Sequence, residues 1–278
     1  MSLTIIVAFG YTDSSTSTHL PSSIVDAYRV STFNNLSHQY IITDQTPLLS
    51  TKKPCKLDGD WNSFVTNSRT NNIKWLNVKS LNDLTVKSSQ IPISNYSKIV
   101  IYYSGHGNQD STLEFPNGDT IEHCAFRDLF LSRVSKDSET LMIIDCCSAG
   151  NFDLPFSLVD RRFQFSKVNK YTCKKVICIT SNQLEQESKA SSKYSYFTKY
   201  LFRVLSEKHT RLDKIVSLIE EKLLIRTSQR VGVYSSYNII PMIYQWIHLK
   251  PTICFTSLVH SIVIKRTQSR RNIENYEF

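Results

Sequence analysis

Two short stretches of the chain end in residues that are typical of thiol chemistry. Each begins as a run of apolar residues, many of them β-branched or aromatic, and stops abruptly at small and reactive ones. The stretch 99–108 contains Ser-Gly-His-Gly around His106, and the stretch 141–150 contains Asp-Cys-Cys-Ser around Cys147. A cysteine attacks as the thiolate after a neighbouring histidine accepts its proton, so this pair predicts nucleophilic catalysis.

The apolar runs before these residues predict the elements that position them. A short, wholly apolar run is typical of a strand buried on both faces of a parallel sheet. Further strands are predicted over 3–9, 40–43 and 176–179, with helical patterns between them, which indicates an α/β fold. In such sheets the ligand crevice lies at the carboxyl ends of the strands. His106 and Cys147 are therefore expected at one edge of the sheet.

The glycines that flank the histidine suggest how a negative charge is stabilised during the reaction. Without a Cβ, Gly105 and Gly107 allow a sharp turn and a close approach of the backbone to a substrate. The amides of Gly107 and Cys147 could then hold the developing oxyanion together. Either motif alone could be an ordinary turn or a pair of core cysteines, but two such motifs at equivalent strand ends favour a catalytic site.

The two motifs also resemble those of a known protein family. Residues 102–109 resemble the histidine motif of metacaspases, residues 145–150 their cysteine motif, and residues 153–156 the block after it. The pentapeptide of the caspases proper is absent. The resemblance implies a metacaspase-like member of the caspase superfamily, with a caspase-like three-layer α/β/α sandwich around a mostly parallel sheet. The peptidase domain would span 1–250, and 251–278 would be a C-terminal extension of unknown role.

The same resemblance selects the nucleophile from two adjacent cysteines. The family places it two residues after the aspartate, which is Cys147 after Asp145. Strand alternation puts Cys146 on the opposite side, where it is expected to pack into the wall of the site. His106 and Cys147 then form the dyad of a cysteine endopeptidase. Its partners would be protein or peptide substrates, in a cell-death or protein-processing pathway.

Acidic residues near the nucleophile predict a preference for basic substrates. Asp145 faces the same side of its strand as Cys147, so its carboxylate favours a cationic side chain and repels an aspartate. The resemblance adds Asp26 and Ser104 as further substrate-binding positions, whereas Ser23 replaces the cysteine that the family has nearby. We expect cleavage after Arg or Lys. The alternatives are that Asp145 caps a nearby helix and that Asp26 only complements its own helix dipole.

No cofactor is predicted for this chain. Metacaspases that need calcium carry a dense acidic cluster that would lie near residues 108–122. This chain has too few carboxylates there for the roughly six to eight oxygen ligands that calcium prefers. Asp153 matches one of the family's calcium-binding positions, so a calcium site there is a hypothesis that nothing else in the sequence supports. The seven cysteines show no metal-ligand spacing.

Composition and charge exclude several classes of function. No apolar run approaches the length of a membrane span, so no membrane partner is expected. The net charge of +9 is spread along the chain apart from basic clusters within 161–175 and 265–271, which favours solvated surface over nucleic-acid binding. The scattered, odd-numbered cysteines indicate a reducing compartment and predict a cytoplasmic protein that could also enter the nucleus. A monomer is favoured.

The main alternative to an active peptidase is an inactive caspase-like scaffold, or decoy, that binds proteases or their substrates. Ser148 and Ala149 replace the His and Ser that follow the nucleophile in the family, so the cysteine motif is incomplete. Neither position is the nucleophile or the base, which favours the enzyme. A nucleotide-binding α/β protein would need a Gly-rich phosphate loop after the first strand, and the sequence has none there.

Local patterns predict further elements that bear on the site. A helix over 121–134 is expected to face inward through Cys124, Ala125 and Leu129. The basic segment 160–175 is predicted to be a flexible connection, either a site of self-cleavage or an uncut surface loop. The other predicted elements are a helix starting near Ser22 or Ser23, a helix over 71–84, a hairpin turn at Asn117-Gly118, helices within 197–205 and 212–223, and an edge element over 239–244.

Overall fold

The described chain is a large sheet with helices packed on both of its faces. The structure, a computed structural model, describes residues 1–15, 17–33, 38–44, 73–150, 152–159, 162–165, 174–191, 194–206 and 212–237. Its α-helices are α1 (Pro21–Phe33), α2 (Leu81–Ser89), α3 (His123–Leu131), α4 (Tyr196–Ser206) and α5 (Leu212–Leu224). Its strands are β1 (Ser2–Ala8), β2 (His38–Thr43), β3 (Ile73–Asn77), β4 (Lys98–Ser104), β5 (Thr112–Glu114), β6 (Thr120–Glu122), β7 (Glu139–Asp145), β8 (Phe156–Val159), β9 (Arg162–Phe165), β10 (Lys175–Thr180), β11 (Ala190–Ser191), β12 (Tyr194–Ser195) and β13 (Gly232–Ser235).

Nine of these strands form one sheet in the order β3-β2-β1-β4-β7-β10-β13-β8-β9. The six strands from β3 to β10 run parallel, and β13, β8 and β9 extend the sheet as antiparallel strands. In β1, β4 and β7 every residue after the first is buried, as the wholly apolar runs predict for central parallel strands.

Two hydrophobic clusters, one on each face of the sheet, define three layers. On one face α1, α4 and α5 cover the sheet through residues such as Val30, Leu201 and Ile215. On the other face α2 and α3 contribute Leu84 and Phe126. The predicted three-layer α/β/α sandwich is therefore confirmed. None of the helices that the structure describes is long and apolar enough to cross a membrane.

The predicted helix over 71–84 is wrong in its first half, which forms strand β3. Trp75 packs toward one face of the sheet and Leu76 toward the other, which is the period of two of a strand. The helix begins only after Ser80, whose hydroxyl accepts a hydrogen bond from the Asp83 amide at 3.1 Å. This N-cap defines the start of α2 more sharply than the apolar spacing does.

The predicted inner face of the helix over 121–134 is also wrong. The helix is shorter, because residues 120–122 pair in β6, and Ala125 is exposed while Cys124 and Leu129 are only half-buried. Large aromatic rings bury more apolar area than these residues, and a buried arginine and histidine find backbone acceptors that compensate for desolvation. The buried face consists of His123, Phe126, Arg127, Phe130 and Leu131.

The predicted hairpin turn at Asn117-Gly118 is confirmed, with β5 paired to β6 and a φ of 89° at Gly118.

The segment 160–175 is not a simple connection, because β9 lies within it and pairs with β8. Helices α4 and α5 form where amphipathic helices are predicted. The predicted edge element over 239–244 and the proposed domain boundary at 250 lie outside the described residues, and β13 occupies the position beside β10.

Candidate active site

The two reactive motifs meet at the carboxyl ends of neighbouring strands. Strands β4 and β7 are in register, with Ser104 opposite Asp145, so His106 and Cys147 each follow by two residues. The Gly105 amide donates to the Asp145 carbonyl at 3.3 Å. A side chain at position 107 would meet the sulfur of Cys146 at 2.8 Å. Gly107 therefore lets the two loops approach more closely than any other residue could.

Two buried tyrosines hold the backbone of His106. Its amide donates to the Tyr11 hydroxyl at 2.8 Å, and its carbonyl accepts from the Tyr103 hydroxyl at 2.9 Å. The Tyr11 hydroxyl in turn donates to the Glu114 carbonyl at 2.8 Å. Burial raises the pKa of both tyrosines, so both remain neutral phenols. The imidazole of His106 lies against the Tyr11 ring, with 4.4 Å between centroids.

The loop after β1 supplies the partner of the His106 side chain. Nε2 lies 2.7 Å from the backbone carbonyl oxygen of Thr18. Because a carbonyl can only accept, Nε2 carries the ring proton and Nδ1 carries the lone pair. This is the arrangement of a general base whose far nitrogen is oriented by a third group. No sequence pattern points to Thr18, because a backbone carbonyl contributes here and not a side chain.

The thiol of Cys147 is half-buried and protonated at neutral pH. Its sulfur lies 4.0 Å from the Ser188 carbonyl. Burial is the main cause that raises the pKa of this thiol, and the negative charges of Glu187 and Asp145 raise it further. The structure shows no hydrogen bond between this sulfur and the His106 ring, although both residues are described. The adjacent Cys146 is 2% exposed, as expected for a residue of the wall.

Asp145 lies two residues before the nucleophile, and each of its carboxylate oxygens accepts a hydrogen bond. One carboxylate oxygen accepts from the Ser188 hydroxyl at 2.9 Å and the other from the Thr198 hydroxyl at 2.6 Å. Since the Thr198 proton is used there, the Tyr102 hydroxyl at 2.8 Å donates to Thr198. Burial raises the pKa of Asp145. The contact with α4 through Thr198 agrees with a structural role as well as with a role in substrate binding.

Asp26 on α1 is fully buried, and one of its carboxylate oxygens makes no hydrogen bond. Its Oδ2 accepts from the Ser195 amide at 2.8 Å, whereas Oδ1 has no hydrogen-bond partner. Arg29 approaches this oxygen only to 3.6 Å, which is an ion pair beyond hydrogen-bond length. Burial and then the charge of Asp145 raise the pKa of Asp26 well above its usual range. The two acids predicted from sequence thus share one electrostatic environment.

Ser104 completes the predicted substrate-binding set, and Ser23 occupies the position where the family has a cysteine. The Ser23 hydroxyl, one turn before Asp26, is buried and also lacks a hydrogen-bond partner. Ser104 is 3% exposed at the end of β4, and its side chain bonds the Tyr102 hydroxyl. Hydroxyl and carboxylate oxygens thus gather around Asp26, and the cation that acts on Asp26 among the described residues is the half-buried Arg29.

Asp153 lies outside any cluster of metal-binding side chains formed by the described residues. Its side chain is exposed, its φ is 51°, and its carbonyl accepts from the Arg127 guanidinium at 2.9 Å. Within the described ranges no group of three or more His, Cys, Asp or Glu side chains converges on a common point. A calcium site at Asp153 stays an untested hypothesis.

Comparisons with known proteins identify the family and the fold of this chain. The family model of the caspase domain matches residues 6–249. Caspase-1 from Spodoptera frugiperda is similar in structure, with a TM-score of 0.52 and 12% identity over 84% of this chain and 86% of that one. Protein GSU0716 from Geobacter sulfurreducens has a TM-score of 0.52 and 11% identity over 84% of this chain and 92% of that one. No curated protein sequence is significantly similar.

Proposed function

The chain belongs to the caspase-domain family, and we propose that it is an active cysteine endopeptidase with His106 and Cys147 as its dyad. The observation that carries this proposal is the bond between Nε2 of His106 and the Thr18 carbonyl. It leaves the lone pair of Nδ1 available, at a strand end equivalent to that of the cysteine. A histidine that only formed part of a surface turn would not require a hydrogen bond that orients its ring.

The chemistry follows from these positions. As the Cys147 sulfur attacks the peptide carbonyl, its proton moves to Nδ1 of His106, and the Thr18 carbonyl stabilises the imidazolium that forms. The imidazolium then protonates the leaving amine, and water releases the acyl group from sulfur. Within the described residues the amides of Gly107 and Cys147 donate to no protein acceptor, so both are available to the oxyanion.

The two buried acids support cleavage after Arg or Lys. Oδ1 of Asp26 makes no hydrogen bond and pairs with Arg29 only at 3.6 Å, so it can accept from a cationic side chain of the substrate, and Asp145 adds negative charge beside it. A guanidinium there would make charge-assisted hydrogen bonds and offset the repulsion between the acids. The Ser23 and Ser104 hydroxyls provide further acceptors. This preference is what would distinguish a metacaspase-like peptidase from a caspase that cleaves after aspartate.

A matched panel of peptides tests the proposal. Wild-type protein is assayed on fluorogenic peptides that differ only in Arg, Lys or Asp before the scissile bond, beside Cys147→Ala. We expect turnover of the Arg and Lys peptides that Cys147→Ala abolishes, and no turnover of the Asp peptide. Cleavage after Asp with Arg ignored would contradict the specificity. Equal rates in wild type and Cys147→Ala would contradict the proposal that the chain is a cysteine peptidase.

A binding protein without activity is the second candidate function. The observation that favours it is the raised pKa of the Cys147 thiol together with its lack of a hydrogen bond to His106. A scaffold would bind a basic peptide without cleaving it. Fluorescence anisotropy with a labelled Arg peptide, read beside product formation, separates the two, because only the scaffold leaves the bound peptide intact.

A further inference from the structure

Helix α3 is bonded directly to the loop that carries the catalytic histidine. After His106 the chain forms the β5–β6 hairpin and returns, with the Glu114 amide donating to the His106 carbonyl at 3.2 Å. The hairpin leads into α3 without a break, and the amide of His123, the first residue of the helix, donates to the Ser111 carbonyl at 3.1 Å. The N-terminus of α3 is therefore fixed relative to His106.

The side chain of His123 reaches the other catalytic loop. It is 1% exposed, and its Nδ1 lies 2.9 Å from the Gly150 carbonyl, three residues after the nucleophile. The acceptor is a carbonyl, so Nδ1 carries the proton. The ring also stacks on Phe152, with centroids 4.8 Å apart and planes 5° from parallel. Burial lowers the pKa of His123, so the ring is neutral when it makes this bond.

One turn further along α3, Arg127 binds the same loop. Positions four apart lie on one face of a helix, which directs both side chains to the turn after Cys147. The buried guanidinium donates through Nη1 to the carbonyls of Phe152 and Asp153, the second at 2.9 Å, and through Nε to Asp128 at 2.8 Å. A charged donor on backbone carbonyls makes stronger hydrogen bonds than a neutral one.

The loop after Cys147, which His123 and Arg127 hold, has a strained backbone. Ser148 has a φ of 49° and Asp153 a φ of 51°, and non-glycine residues adopt such values only where neighbouring contacts impose them. The segment after β10 also binds this loop: the Ser148 amide donates to the Gln186 carbonyl and the Ala149 amide to Asn182 Oδ1, both at 2.8 Å. The loop is thus held through its amides by the segment after β10 and through its carbonyls by α3.

We propose that His123 and Arg127 are positioning residues that set the distance between Cys147 and His106. This inference rests on the proposed peptidase function. Because α3 is bonded to the histidine loop at its first residue and to the cysteine loop through these two side chains, it serves as a rigid spacer between base and nucleophile. Neither side chain touches the buried acids, since Asp26 lies on α1, on the opposite face of the sheet.

This separation predicts which kinetic constant changes. Loss of either contact lets the Cys147 turn relax from its strained conformation, which misplaces the thiol while the cationic pocket stays intact. A misplacement of about 1 Å is enough to reduce the rate roughly 100-fold. We expect kcat to fall about 10- to 100-fold while KM for an Arg peptide stays within about twofold.

The experiment compares conservative and disruptive variants at both positions. His123→Phe keeps the stacked ring but removes the donor, and His123→Asn keeps a donor near the position of Nδ1. Arg127→Met removes the guanidinium. Active-site titration with an irreversible thiol-reactive peptide gives the concentration of competent sites, so kcat refers to folded protein. We expect a low kcat in His123→Phe and Arg127→Met and recovery of most of the rate in His123→Asn.

Arg133→Met is the matched control for Arg127→Met. Arg133 follows α3 and also donates to backbone carbonyls, those of Ser88 at 2.5 Å and Ile91 at 3.3 Å, but these lie away from both catalytic loops. It should lower thermal stability without changing kcat per titrated site. If Arg127→Met and His123→Phe behave in the same way as this control, the two residues are only structural and the inference is wrong.

A second readout does not depend on turnover. The rate of Cys147 alkylation by iodoacetamide is measured against pH in wild type, His106→Ala, His123→Phe and Arg127→Met. The inference predicts that the last two lose the His106-dependent part of the reactivity. If wild type does not cleave peptides but its alkylation depends on His106, the proposed peptidase function is wrong. The alkylation rates of His123→Phe and Arg127→Met then still test whether these two residues position the dyad. Wild-type alkylation that is independent of His106 overturns the positioning role.

Discussion

Gly107 lies so close to Cys146 and to the carbonyl of Cys147 that no side chain fits between the two catalytic loops. The contact joins the histidine loop to the cysteine loop at the point where both leave the sheet. The spacing of the dyad is thus a property of backbone packing at this point as well as of the side chains that react.

Gly107→Ala tests that contact. The new methyl group would meet the Cys146 sulfur at 2.8 Å, so one loop has to move. We expect the free energy of unfolding to fall by about 1–3 kcal/mol, as in other overpacked sites. The rate of Cys147-dependent peptide cleavage should fall about 100-fold, because the shift separates base and nucleophile. This loss is larger than the loss of folded protein would cause. Gly232→Ala is the control that should lower stability alone, because the new methyl group would meet Thr180 Oγ1 at 2.5 Å in β10 and neither catalytic loop is among its nearest contacts.

The two adjacent cysteines should differ sharply in their effect on rate. Cys147→Ala and His106→Ala should each lower kcat by several orders of magnitude, because base and nucleophile act as one unit. Cys146→Ala removes only a buried sulfur from the wall, so its loss should be far milder. Steady-state kinetics of the three variants decide this. Activity retained in Cys147→Ala but lost in Cys146→Ala would reverse the assignment of the nucleophile.

Stability and affinity for a cation should respond to pH in opposite directions. The pKa of Asp26 is raised in the folded protein, so the folded state binds more protons than the unfolded state between the ordinary carboxyl pKa and the raised one. Stability of the free protein should therefore fall as pH rises through this window, by up to about 1.4 kcal/mol per pH unit. A cationic ligand pairs with the ionised acid, so its effect should grow with pH.

Thermal melts with and without benzamidine, a small cation, measure both effects. The shift in Tm caused by the ligand should increase with pH in wild type and vanish in Asp26→Asn, which stays neutral. Asp137→Asn, at an exposed acid, should behave as wild type. A ligand shift that is independent of pH, or that survives in Asp26→Asn, would remove Asp26 from the binding site.

The purified protein should remain a single chain. Within the basic segment 160–175, residues 162–165 are paired in β9, and a paired strand cannot enter a cleft in extended form without leaving the sheet. We predict one band on a denaturing gel for wild type, identical to that of Cys147→Ala after prolonged incubation. A pair of fragments in wild type alone, with a new N-terminus inside the segment, would instead establish self-processing.

The sequence was sufficient for those features that depend on residue type and spacing. The apolar runs before His106 and Cys147 identified central parallel strands, because a strand buried on both faces has no polar position to interrupt it. The Asn117-Gly118 turn was identified because few dipeptides tolerate its backbone geometry. Register then follows, since strands of equal length that end in equivalent motifs place those motifs side by side.

Other features depended on partners that are remote in the chain. Trp75 alternates with its neighbours as a strand does, but its spacing also fits a helical stripe, and only pairing with β2 decides between the two. Arg127 is buried, although an arginine is expected at the surface of a helix, because backbone carbonyls 25 and more residues away accept its hydrogen bonds. Such contacts have no signature in the local sequence.

The bond between His106 and the Thr18 carbonyl has a consequence for how this protein tolerates mutation. A partner supplied by the main chain survives every ordinary substitution at its own position, so side-chain scanning of the loop after β1 will find no third catalytic residue. What has to be preserved is the path of the main chain through this loop, because that path places the Thr18 carbonyl. Insertions, deletions or a proline that redirect this loop should reduce the rate more than a change of the Thr18 side chain does.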